Sequence, residues 1–201
     1  TLYTGNDGTQ TINTGINNTT ESLVWLKSTD VATNHLLIDN VRSGFQPLFS
    51  NATSSENSNY VDITAFLATG FTVANGTGWA NNYLTEYVAW NFRAAPKFMS
   101  IITYVGNGGN DRKILHGLGT TPACGIVKGS SVSSHWIVYH QSIGTQQLKL
   151  NETGAINVWA QDWNPTETDF EVGPGTNNDP GESFVGYFFA SDDTNIKCGT
   201  Y

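Results

Sequence analysis

Charge is what this sequence has least of. Only 13% of its 201 residues are Asp, Glu, Lys or Arg, against about 25% in an average globular domain. Basic residues are scarcest, nine against 17 acids, for a net charge of −8. No Lys/Arg cluster stands out against that balance, so there is nothing to neutralise a run of phosphates, and nucleic acid is excluded as a partner. No apolar run approaches the ~20 residues of a membrane-spanning helix, so no helical membrane segment is expected. Cysteine is limited to Cys124 and Cys198. Neither has a neighbour at metal-ligand spacing, which excludes a cysteine-based zinc site. Two readings stay open for the pair: buried free thiols, or a disulfide that pins the end of the chain to its second half. Also missing is any sustained apolar repeat of period 3.6, which excludes a helical fold.

Asn, Thr, Ser and Gln supply the polar surface instead, while hydrophobic residues make up 38% of the chain and aromatic residues 12%. Disordered chains are charge-rich and aromatic-poor, so this chain is expected to fold around a sizeable core. Short apolar runs such as Leu23-Val24-Trp25-Leu26 and Ile137-Val138-Tyr139 alternate with Gly/Asn turns such as Gly5-Asn6-Asp7-Gly8. That is the punctuation of many short strands.

The chain also repeats itself. Glu86 to Asn107 reads as strand, linker around Ala95-Pro96-Lys97, strand and turn, and Glu182 to Tyr201 follows the same pattern. Tyr3-Thr4-Gly5-Asn6 matches Tyr104-Val105-Gly106-Asn107, and Lys27-Ser28 matches Lys128-Gly129, at an offset of 101. His35-Leu36-Leu37-Ile38 lines up with His135-Trp136-Ile137-Val138, and Leu48 to Thr53 with Leu148 to Thr153, at 100. Phe71-Thr72-Val73 matches Phe170-Glu171-Val172 at 99, and Tyr87 to Trp90 matches Phe184 to Tyr187 at 97. Collinear matches with a slow drift need only short loop insertions and deletions. The expected fold is therefore all-β: two tandem antiparallel β-sandwich repeats of about 100 residues, jelly-roll or immunoglobulin-like. The first repeat is placed over 1–95 and the second over 96–192, with 193–201 opening a third copy in a longer modular chain. Tyr60 to Leu67 is the ambiguous stretch, readable as a short helical turn.

Chemistry-bearing residues are sparse. His135 and His140 are five apart in one strand and point to opposite faces, so they do not chelate one metal; His35 and His116 are isolated. Asp162, Asp169, Glu171 and Glu182 are the acids that a glycosidase pair would need, and they read as solvated face residues. No nucleophile elbow or P-loop is present, and the Gly-rich stretch 106–110 precedes no helix. Asp192-Asp193 lacks the spacing of a calcium loop. No catalytic residue, metal or cofactor is therefore expected. Among the six tryptophans, Trp25, Trp90 and Trp136 sit in strands and are assigned to the core. Trp79, Trp159 and Trp163 sit by polar loops. They either stack on sugar rings or pack over an end of the sandwich.

The succession Tyr-x-Gly-Asn-Gly (104–108), His-Gly-Leu-Gly-Thr-Thr-Pro (116–122), Gly-Ile-Val-Lys-Gly-Ser (125–130), Ser-His-Trp-Ile-Val-Tyr-His (134–140), Leu-Lys-Leu-Asn-Glu-Thr (148–153) and Phe-Val-Gly-Tyr-Phe-Phe-Ala (184–190) resembles a module of tailed-phage virion proteins. In marine and cyanobacterial phages it occurs in tandem in tail-fibre or other appendage proteins. The resemblance covers Phe98 to Ala190 well. It is looser in the first repeat, where Asn13 to Thr19 stands opposite the His-Gly-Leu-Gly-Thr-Thr-Pro stretch and lacks the proline. It carries over no catalytic or ligand residue. It implies a non-enzymatic structural or adhesive segment in the virion, a homo-oligomer (a trimer in fibres) with other virion proteins and a host-surface glycan as partners. The residues alone also allow a carbohydrate-binding module of a secreted or cell-surface protein, or a subunit of a cellular surface filament.

Overall fold

The computed structural model describes residues 1–59, 61–74, 79–155, 163–175, 177–192 and 194–200. The chain divides into two compact units, Thr1–Ala94 and Ala95–Tyr201. Both are built of antiparallel strands. The first holds β1 (Leu2–Thr4), β2 (Gln10–Asn13), β3 (Ser22–Ser28), β4 (Leu36–Asp39), β5 (Leu48–Phe49), β6 (Ile63–Leu67), β7 (Gly70–Val73) and β8 (Glu86–Arg93). They form two sheets, β1-β8-β3-β4-β5 and β2-β7-β6. The second unit holds β9 (Met99–Val105), β10 (Arg112–Leu115), β11 (Cys124–Gly129), β12 (Ile137–His140), β13 (Leu148–Lys149), β14 (Asp169–Val172) and β15 (Ser183–Phe189). Its sheets run β9-β15-β11-β12-β13 and β10-β14 among the described residues. Within the stretch that also read as a helical turn, Ile63–Leu67 is strand β6, with a register shift between Ile63 and Ala65.

Period-two alternation creates the cores. In β3, Val24 and Leu26 point inward, and in the paired strand β8, Tyr87 and Ala89 do; they meet Ile12, Ile63, Phe71 and Val73 from the other sheet. In the second unit Val127, Ile137, Phe184 and Phe188 of the large sheet meet Ile114, Phe170 and Val172 of the small one. Side chains from two sheets filling one layer define a β-sandwich. The described residues after β15 stay with the second unit: Ile196 packs on its core, and the Cys198 amide donates to Ser191 Oγ at 3.1 Å.

The registers equate the strands of the two five-stranded sheets, and β2 and β7 with β10 and β14; β6 has no counterpart among the described residues. Leu26 faces Leu36 as Val127 faces Ile137, so β4 and β12 correspond at an offset of 101. His35 thus corresponds to Trp136, not to His135. The alignment on the shared histidine slips by one residue, because two apolar runs of similar composition match almost equally well in either frame.

A buried polar lock recurs beside β1 and β9. The Asn6 amide donates to Asn81 Oδ1 at 3.1 Å, and Asn81 Nδ2 donates to Asn6 Oδ1 at 3.1 Å and to the Gly8 carbonyl. The Asn107 amide and Asn178 Oδ1 lie 3.0 Å apart, and Asn178 Nδ2 reaches Asn107 Oδ1 at 3.1 Å and the Gly109 carbonyl at 2.7 Å. Tyr3 donates its hydroxyl to the Ala80 carbonyl and Tyr104 to that of Asn177, both at 2.6 Å. The repeated Tyr-x-Gly-Asn signature is thus a structural device: it satisfies buried donors and acceptors that would each cost about 1–3 kcal/mol if left unpaired.

His116 makes a second lock, in the second unit alone. It is buried. Its Nδ1 accepts the Leu118 amide at 3.1 Å, so its Nε2 carries the proton given to the Thr166 carbonyl, 3.1 Å away. At the corresponding place Thr14 accepts the Ile16 amide through its hydroxyl at 3.2 Å. Burial lowers the His116 pKa below 6.5, outweighing the opposing pull of the Thr166 carbonyl and the Asp169 charge. Between 6.5 and that lower value the unfolded chain binds the proton more readily than the folded one. Stability contributed by His116 is therefore complete above pH 6.5 and declines as pH falls below it. We expect thermal melts taken from about pH 8 down to about pH 5 to show this extra loss in the wild type. In His116→Thr the loss attributable to this site should vanish. Identical pH profiles for the two would contradict the assignment.

Candidate functional site

A cleft of about 650 Å³ opens in the first unit, lined by Lys27, Ala32, Thr33, Asn34, His35, Asn51 and Trp79. Lys27 and His35 face each other across β3 and the entry to β4, because Leu26 pairs with Leu36 just beyond. Leu26 points into the core, so alternation turns Lys27 outward. Asn51 fixes the rim: it accepts the His35 amide at 3.0 Å and donates to Asn34 Oδ1 at 2.9 Å. Trp79, half-buried, stacks on Phe49 with ring centroids 5.0 Å apart. Burial, and then the nearby Lys27 charge, lower the pKa of His35 below 6.5. A side chain with an aromatic face, an ammonium, an imidazole and two amides thus converge on one opening.

Of the two described tryptophans weighed for sugar stacking, Trp79 lies at such an opening and Trp163 does not. Trp163 is corrected: it is 1% exposed and sandwiched between Tyr139 and Phe170, with centroids at 5.8 and 5.5 Å. The polar loop beside it disguised a core residue. Trp159 lies outside the described residues. The strand tryptophans divide as well. Trp136 is fully buried, but Trp90 is 48% exposed and meets half-buried Trp25 edge-to-face at 6.2 Å. Both stand on the outer face of β3 and β8, opposite to the side assigned by composition.

The remaining candidates are occupied with structure. His135 Nδ1 lies 3.1 Å from Glu152 Oε1 and His140 Nδ1 2.7 Å from Ser142 Oγ. Glu171 accepts from Asn164 at 2.9 Å, Glu182 from Ser131 at 2.6 Å, and Asp169 sits 3.8 Å from Lys113; Asp162 lies outside the described residues. Asp192 is held to about pKa 2 by the amide and side chain of Asn195 and the amide of Thr194. It caps a turn with its carboxylate; Asp193 lies outside the described residues. Cys124 and Cys198 are half-buried free thiols. Burial first, and then the charge of nearby Cys198, push the Cys124 thiol up to about 12, far from the range of a reactive thiolate. Among the described residues no three His, Cys, Asp or Glu side chains cluster as metal ligands.

Missed from the sequence were Lys27 and His35 as cleft-lining residues. The signal that pointed to them was the pairing of an outward lysine with a histidine in adjoining strands, which becomes visible only once the register is known.

Fold and site together define the class, an all-β pair of sandwich units with a polar cleft beside a tryptophan in the first. The chain belongs to the family described as a domain of unknown function, DUF7483, which it matches over residues 1–201, that is, over both units. No curated protein and no solved structure matches it.

Proposed function

We propose that this chain is a non-enzymatic structural and adhesive segment of a phage virion appendage, a tail fibre or a tail or capsid decoration. In this reading it spaces or presents a region that binds the host surface. The observation that carries the reading is the recurrence of one five-stranded sheet order and one buried Tyr-Gly-Asn lock in two successive units. Repeated units whose polar residues are spent on holding their own strands suit a spacer, and the copies are proposed to associate as homo-oligomers through exposed strand faces or edges. The resemblance of residues 98–190 to phage virion modules supplies the setting. The test is electron microscopy of purified particles labelled with an antibody against this chain. Label on thin fibres or other projections from a capsid or tail is the expected result. A chain recovered only as a particle-free soluble monomer would overturn it.

The cleft beside Trp79 favours a second reading, a carbohydrate-binding module of a secreted or cell-surface protein. It shares the adhesive activity and differs in the setting, so the same labelling separates the two.

A further inference from the structure

The two units place a lysine at the same register position and use it in opposite ways. Lys128, fully buried, folds its ammonium inward onto the Gly129 carbonyl at 2.7 Å and toward the Val132 carbonyl and Ser134 Oγ at 3.4 Å. Its cross-strand neighbour is Trp136, also fully buried. In the first unit Lys27 makes one long contact, 3.5 Å, with the Val31 carbonyl, the counterpart of Val132. Its neighbour is His35 in place of the tryptophan. What is filled and closed in the second unit is a cleft in the first. The frame beneath it persists in both: Asn51 holds the His35 amide as Asn151 holds that of Trp136 at 2.9 Å.

The cleft's charge runs against the molecule's. The chain carries a net −8, yet among the described residues no Asp or Glu lines this opening and one Lys does. A compact ammonium on a flexible stem pairs with a single anionic group. The Trp79 ring, backed by Phe49, offers the apolar surface on which a pyranose ring stacks, and the Asn34 amide at the rim offers a partner for sugar hydroxyls. A small-ligand site combines these features, apolar wall and few polar groups.

We infer that the cleft beside Trp79 binds an anionic saccharide, with its ring against Trp79 and its carboxylate or sulfate against Lys27. This rests on the adhesive part of the function proposed above and names its ligand class. The second unit, having folded its lysine inward, does not share the site.

The test is titration of the whole 201-residue chain, followed by calorimetry, with three probes: trigalacturonate, its methyl ester and a sulfated galactose disaccharide. Saturable binding of trigalacturonate or the sulfated sugar is expected, and comparing the two tells carboxylate from sulfate. Affinity should fall about tenfold or more, at least 1.4 kcal/mol, on esterification and in Lys27→Gln. Lys149→Gln in the second unit should leave it unchanged. Lys27 is half-exposed, so its variant keeps the fold where Trp79→Ala, which removes a ring packed on Phe49, need not. Equal affinity for the ester would overturn the anionic assignment and keep adhesion. Undiminished binding by Lys27→Gln would overturn the site. No binding of any probe would overturn the inference, while particle labelling would still decide the appendage setting.

Discussion

Trp163→Ala is expected to destabilise the second unit by about 3–5 kcal/mol, the cost of emptying a large aromatic site in a core that relaxes only partly. The ring lies between Tyr139 and Phe170. A Cβ on Gly125 would already be 3.2 Å from it, so the sheet opposite has a glycine there and no side chain to fill the void. For a unit of this size that loss lowers the melting temperature by roughly 12 °C or more. Trp163→Phe should cost much less. The indole Nε1 is buried without a hydrogen-bond partner, so the smaller ring removes volume but breaks no bond. Thermal unfolding followed by near-ultraviolet dichroism checks both. Unchanged stability in Trp163→Ala together with lost glycan binding would return Trp163 to the role of a surface stacking residue.

Gly106→Ala is the other severe change, with an expected cost of about 3–5 kcal/mol, in the range of substitutions that force backbone apart. A Cβ at 106 would overlap the Asp179 carbonyl oxygen. The backbone cannot step aside, because the Gly106 amide donates to the Glu182 carbonyl at 2.8 Å and its carbonyl accepts the Gly181 amide at 3.0 Å. Gly5 has the same constraint against the Asn82 carbonyl, with its own bonds to Thr85 at 2.8 Å and Leu84 at 3.0 Å. Gly5→Ala should therefore damage the first unit as Gly106→Ala damages the second. Gly8→Ala, whose nearest neighbour would be Asn6 Oδ1 at 3.5 Å, is the internal control and should stay within about 1 kcal/mol. Chemical denaturation of the three variants reads this directly. If Gly106→Ala matched Gly8→Ala, the close approach at the lock would be wrong.

Much of the architecture was legible because strands alternate with period two and turns use a small alphabet. The runs around β3, β8, β11 and β15 stand out as apolar, and the turns after β1 and β9 announce themselves by Gly and Asn. Local similarity hides the rest. Trp25, Trp90 and Trp163 are equally apolar in a list of residues, and a tryptophan in a strand faces either the core or the solvent. Only the partner across the sheet decides which. The same holds for His35 and His135: a shared letter suggested a correspondence that strand pairing moved by one position.

The sequence by itself determined that the chain is all-β, poor in charge and built from two similar stretches, because composition and hydrophobic period act locally along the chain. Tertiary structure decided the rest. Strand register carried Lys27 to the side of His35 and Lys128 to the side of Trp136. Packing of two sheets buried Trp163 and left Trp90 exposed. Close approach of distant backbone segments made Gly5 and Gly106 irreplaceable. Each of these depends on residues dozens of positions apart meeting in space, and no local pattern encodes which of them do.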